Sequence, residues 1–142
     1  MPIKHIVAVY GSLKKGFYNH PGLGTNKRFV GYSAVNGGML LRHNSYPVLY
    51  KPTEKKKKAE VKSHVVELYE IEASNFRSIT IMEEGAGYYA EEVYFVLDHP
   101  SSKEGGATRA TIYWADPQRQ SPDDVPITAY TQEVLGAVGK FF

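Results

Sequence analysis

Along the chain, apolar positions recur mostly with the two-residue period of strands and only briefly with the period of a helix. Ile3 to Tyr10 is rich in β-branched residues and stops at Gly11, the pattern of a buried first strand. From Arg28 to Leu41 two short β segments flank Asn36-Gly37, a dipeptide suited to a tight turn, so a hairpin or a bulged bend is predicted there. Tyr46 to Tyr50 reads as a further short strand, and Val61 to Ile71 alternates well enough to be another. Tyr88 to Asp98 and Ala107 to Ala115 alternate strongly across a polar connection, which predicts long antiparallel neighbours. Between these blocks, Ser74 offers an N-cap for a helix through Glu84, with Phe76, Ile79 and Met82 three residues apart. A second helical face, from Ile127 through Tyr130, Val134, Leu135 and Val138, is weakened by Gly136 and Gly139. The sum is an α+β fold: a small mixed β-barrel with one or two short helices. Closure, or near closure, is expected because so many strand edges must be satisfied in a short chain. The length of 142 residues suits a single domain over 1–142, and no internal repeat is present.

Composition narrows this picture without redirecting it. The formal net charge is only +2, and much of the positive excess lies in the run Lys55-Lys56-Lys57-Lys58, which reads as a solvated loop. No broad polyanion-binding surface follows, so no nucleic-acid partner is expected. The absence of cysteine excludes a disulfide framework, a thiolate metal site and a cysteine nucleophile. The N-terminus runs directly into the first strand pattern without a leader-like apolar core, and no stretch approaches the length of a membrane span. A cytoplasmic protein with no membrane association is therefore expected; the oligomeric state is not legible.

The chemistry-bearing candidates begin where the first strand ends. In Tyr10-Gly11-Ser12-Leu13-Lys14-Lys15-Gly16 a glycine follows the strand directly, and several consecutive backbone N–H groups can turn inward. Such a bend can hold a carboxylate or an oxyanion, although a plain strand-to-loop transition has the same composition.

From this point the chain resembles the gamma-glutamylcyclotransferase-like superfamily, which includes the gamma-glutamylamine cyclotransferases and the plant avirulence-induced proteins. The resemblance starts at Tyr10-Gly11-Ser12-Leu13, with Lys14-Lys15-Gly16 and Asn19-His20 following. It continues in order through Phe29-Val30-Gly31, Gly38-Met39-Leu40, Tyr46-Pro47 and Val66-Glu67-Leu68-Tyr69-Glu70-Ile71. Glu84-Gly85, Tyr88-Tyr89 and Glu92-Val93 then resemble the family's glutamate-glycine element and the strand after it. Two departures stand out: Thr80-Ile81 where relatives commonly carry leucine-aspartate, and the lysine run at 55–58.

The resemblance implies an intramolecular reaction. The α-amine of a gamma-glutamyl group attacks its own side-chain carbonyl, closes 5-oxoproline and expels the attached amine or amino acid. It assigns the acid/base role to Glu84, with Glu83 next in line if the register slips by one. Apart from the resemblance, Glu84 would sit at a helix C-terminus beside Glu83, and both surroundings favour its protonated form. Tyr10, Gly11, Ser12 and Leu13 are the expected substrate-binding loop, with Tyr46 and Tyr89 as further contacts; Tyr88 is a third tyrosine that could line a cavity. The implied partner is a small gamma-glutamyl substrate, and the chemistry requires neither metal nor organic cofactor.

Other candidates are weaker. His5, His20, His43, His64 and His99 are scattered without metal-ligand spacing. Ser12 lacks the Gly-x-Ser-x-Gly elbow of serine hydrolases. Two alternatives stay open: a non-catalytic binding or interaction module of the same fold, and a different amide- or amine-processing enzyme. Catalysis requires the carboxylate and the Tyr10–Leu13 bend to meet across an open cavity.

Overall fold

The computed structural model describes residues 4–11, 13–17, 19–42, 46–52, 61–97, 107–118 and 124–127. The lysine run at 55–58, Ser12 and the C-terminal helical pattern beyond Ile127 lie outside the described residues.

The described residues form seven strands and one α-helix: β1 (Lys4–Val9), β2 (Arg28–Arg42), β3 (Tyr46–Tyr50), β4 (Lys62–Glu72), α1 (Ala73–Gly85), β5 (Tyr88–Val96), β6 (Ala107–Ala115) and β7 (Val125–Pro126), with a 3-10 turn at His20–Leu23. The hydrogen-bonded order is β3-β2-β4-β1-β6-β5, with β7 on the other side of β2. The mixed α+β class is as expected, but the order among the described residues is open rather than a closed ring.

Strand β1 is central. It pairs antiparallel with β4 and parallel with β6, and its side chains feed cores on both faces of the sheet. Val7 and Val9 pack with Leu13, Tyr69, Ile71, Ile79 and Tyr113 on the helix side. Ala8 and Tyr10 pack with Leu68, Ile112 and Trp114 on the other side. Burial on both faces is why this strand reads as a continuous apolar run rather than an alternation.

The predicted hairpin at Asn36-Gly37 is corrected: β2 is one continuous strand of 15 residues. Up to Gly37 it pairs with β4, and from Gly38 onward it pairs with β3. The glycines serve this change of partner rather than a turn. A Cβ on Gly37 would lie 2.7 Å from the Tyr50 carbonyl oxygen, so β3 can approach only a bare backbone.

Helix α1 begins one residue before the expected cap, after Glu72, and Ser74 makes no N-cap hydrogen bond. Of the three apolar residues expected on one face, Ile79 is fully buried, Phe76 is partly buried against the same cluster, and Met82 is 43% exposed. The helix is therefore docked mainly through Ile79, whose truncation to alanine removes about 2–4 kcal/mol.

A carboxylate-bearing cavity at the end of the first strand

The end of β1, the start of β3, the last turn of α1, the start of β5 and the middle of β6 converge on one cavity of about 380 Å³, counted with the space open to solvent. Tyr10, Gly11 and Leu13 line it from the first strand and its loop, and Tyr46 and Pro47 from β3. Glu83 enters from α1, Tyr88 from β5 and Tyr113 from β6. Gly11 is required by close packing here, because a Cβ would sit 2.8 Å from Cγ of Pro47 across the cavity wall.

The structure separates the two glutamates that end the helix. Glu83 lines the cavity, whereas Glu84 is exposed and does not. The glutamate that lines the cavity is thus the residue before the expected Glu84. Successive helical side chains diverge by about 100°, and the face fixed by Ile79 carries Glu83, one turn further on, inward with it. Burial pushes the Glu83 carboxyl up to about 7, and no hydrogen bond or ion pair to its side chain is found among the described residues.

The adjacent tyrosines separate in the same way. Tyr88 lines the cavity, whereas Tyr89 does not; it packs against the core on the other side of the sheet with the Lys51 ammonium over its ring. Neighbouring strand residues face opposite ways, so only one of the two can reach the cavity. Tyr46 is in place, and Tyr113, which reads in the sequence as an ordinary half-buried strand residue, is a further lining group. Nothing in the sequence marks it; its position follows from the parallel pairing of β6 with β1.

The cavity hydroxyls are held by the protein. Tyr10 donates to the Tyr113 carbonyl at 2.5 Å, and Tyr88 donates to the Pro47 carbonyl at 2.5 Å, tying β5 to β3. The Tyr113 hydroxyl is 2.7 Å from Oγ1 of Thr80. Thr80, one of the two residues that depart from the family pattern, thus bonds directly to a cavity tyrosine. Burial, then the neighbouring Tyr88 and Glu83, raise the Tyr10 phenol well above its ordinary value. Burial chiefly raises Tyr113 to about 12. These phenols stay neutral at physiological pH, so Glu83 is the cavity group whose charge changes there. Outside the cavity, His20 Nδ1 bonds the Leu13 carbonyl at 2.8 Å, and the Glu67 carboxylate accepts from the Lys15 amide at 2.9 Å, fixing both flanks of the loop.

Fold and cavity together define a class: among the described residues, a mixed sheet with one flanking α-helix, presenting a half-buried acid to a glycine-containing bend. The family model described as "Gamma-glutamyl cyclotransferase, AIG2-like" matches residues 7–132, and the chain belongs to that family. A Methanocaldococcus jannaschii protein, named only provisionally as a gamma-glutamylcyclotransferase, is 33% identical over 100 residues, 69% of this chain and 76% of that protein. Among solved structures, an AIG2-like protein of Mus musculus superposes with a TM-score of 0.68 at 19% identity, covering 92% of this chain and 90% of that one. A Pyrococcus horikoshii protein described as uncharacterized superposes at 0.62 with 22% identity, covering 97% and 99%. These two likenesses show the fold. No helix among the described residues is long and apolar enough to cross a membrane.

Proposed function

We propose that this protein is a gamma-glutamyl cyclotransferase in which Glu83, rather than Glu84, is the general acid/base. The observation that carries the reading is a half-buried carboxyl, without a side-chain partner among the described residues, in the same cavity as Tyr10, Gly11 and Leu13. The α-ammonium of the substrate must lose a proton before its nitrogen can attack the side-chain carbonyl. A carboxyl held near 7 is a stronger base than an ordinary carboxylate near 4.5, so taking a proton from the α-ammonium is less uphill for it.

Glu83 takes that proton and the nitrogen adds to the γ-carbonyl carbon. As the tetrahedral oxyanion collapses, Glu83 gives the proton to the departing nitrogen, and the second proton of the ring nitrogen passes by the same carboxylate to the released amine, which leaves as an ammonium. The C–N bond breaks, releasing 5-oxoproline and the free amine. The reacting atoms belong to one molecule, so much of the rate comes from holding the folded-back conformer. Tyr10 and Tyr88 give their protons to backbone carbonyls, which holds both rings in place at the cavity wall. Oxyanion and α-carboxylate then fall to the backbone amides of the Tyr10–Leu13 bend, Ser12 included. Open space in the cavity favours this over a binding module whose pocket is closed by side chains.

The test is release of 5-oxoproline from a panel of gamma-glutamyl amines and dipeptides by wild type, Glu83→Gln and Glu84→Gln. The expected result is a loss of roughly 10²- to 10⁴-fold in kcat/KM for Glu83→Gln and a change within a few-fold for Glu84→Gln. Equal release by wild type and Glu83→Gln would remove Glu83 from the mechanism.

A further inference from the structure

Helix α1 borders a second hollow. Beside the catalytic cavity lies a groove of about 450 Å³, counted with its open side, lined by Leu13, Asn19, Gly22, Ser78, Ile79 and Met82. Leu13 is common to both spaces, and Met82 is the residue immediately before Glu83. Ile79 and Glu83 lie one helical turn apart on the same face, so the groove extends from the acid back along the helix.

The chemistry of the lining is specific in what it omits. Leu13, Ile79 and Met82 offer apolar surface, Asn19 and Ser78 are neutral, and none of the six is ionisable. The charged residues on the same helix point elsewhere: Arg77 and Glu84 are exposed and line neither space, and Glu83 faces the cavity. An attached carboxylate or ammonium group entering the groove would lose hydration without meeting a counter-charge in its walls. An alkyl chain would lose only its contact with water.

Resting on the cyclotransferase reading, we infer that this groove receives the substituent of the amine that leaves. The preferred substrates are gamma-glutamyl amides of uncharged amines bearing an apolar chain of several carbons. The geometry supplies the direction. The leaving nitrogen must be within reach of Glu83 to be protonated, and whatever it carries must extend away from the cavity that holds the glutamyl part. The groove that shares Leu13 with the cavity, and whose Ile79 lies one helical turn from Glu83 on the same face, is the neighbouring space on that helix.

The test compares gamma-glutamyl methylamide, n-butylamide and n-hexylamide with gamma-glutamylglycine, which carries a free carboxylate. Release of 5-oxoproline is measured for wild type, for Met82→Asn, and for Ile81→Asn, whose side chain is 68% exposed and lines neither space. Each methylene withdrawn from water multiplies kcat/KM roughly three- to four-fold, so the hexylamide should exceed the methylamide by about tenfold if two of its added methylenes are buried and by roughly several hundredfold if all of them are. Gamma-glutamylglycine should fall below the butylamide. Met82→Asn should reduce the hexyl-to-methyl ratio at least threefold, and Ile81→Asn should leave that ratio in place. A flat series, or glycine equal to hexyl, overturns the inference. The same amides titrated calorimetrically into Glu83→Gln report the groove without turnover. If no compound yields 5-oxoproline the functional reading fails, and the affinity series alone decides the groove: affinity rising with chain length supports it and constant affinity refutes it.

Discussion

Asp124 and Glu83 are drawn out of water on opposite terms, the first almost wholly and the second in part. Asp124, buried at the approach to β7, receives a two-pronged contact from Arg42 at 2.9 Å on each oxygen, and the same guanidinium donates to the Tyr50 hydroxyl at 2.9 Å. Bonding to Asp124 holds the Arg42 guanidinium well above its ordinary value, so the pair is permanently ionic. Glu83 has no counterpart of this kind among the described residues, and its partial burial is expressed instead as a carboxyl that holds its proton up to about 7. A buried acid with a rigid partner fastens chain segments together; one without such a partner retains the freedom to exchange a proton. That contrast is what nominates Glu83, and not Asp124, for the proposed acid/base role.

The largest contrast is in stability. Asp124→Ala leaves the Arg42 charge buried and uncompensated and should cost about 3–5 kcal/mol, a fall in Tm of about 10–20 °C by calorimetry. Glu83→Gln, made at the other buried acid, should fold normally. An unchanged Tm for Asp124→Ala would show that the pair contributes nothing net.

A smaller effect is expected at the cavity wall. Gly11→Ala drives a methyl group toward the Pro47 ring, which cannot swing aside as a flexible side chain would. A loss of about 1–3 kcal/mol is expected, together with a drop in kcat/KM because the loop shifts relative to Glu83. Wild-type activity in this variant would mean that the bend is not in its working position beside Pro47.

The smallest effect is the most diagnostic in sign. The folded-state value of Glu83 lies above its ordinary value of 4.5, so the folded protein binds the extra proton and stability declines as pH rises from about 4.5 through about 7. Glu83→Gln removes that decline. It should therefore raise stability at pH 8 by about 1–2 kcal/mol, with little effect near pH 4.5, in parallel urea denaturation curves. Destabilisation at pH 8 would mean that the charged carboxylate has a favourable partner.

Most of the strands were legible because β-branched runs and two-residue alternation report local backbone preference. The loop after Tyr10 was visible because a glycine directly behind a β-branched run marks where a strand ends. The twin residues were not separable. Glu83-Glu84 and Tyr88-Tyr89 each repeat one chemistry at adjacent positions, and the choice between them is made by rotation about α1 and by the facing of β5, which depend on distant contacts through Ile79 and β6. Asn36-Gly37 misled for a related reason: the glycine answers the close approach of β3, a tertiary demand that looks locally like a turn. Tyr113 and the Arg42–Asp124 pair, 82 residues apart, carried no local signature at all.

The central claim is that Glu83 is the buried, uncompensated acid of the cavity. It is read most directly by NMR of protein labelled with 13C at the glutamate side-chain carboxyls and titrated from pH 3 to 9. One carboxyl resonance should titrate near 7 and be missing from Glu83→Gln while persisting in Glu84→Gln. If every glutamate titrates within the ordinary carboxylate range, or if the elevated resonance vanishes in Glu84→Gln instead, the account is contradicted.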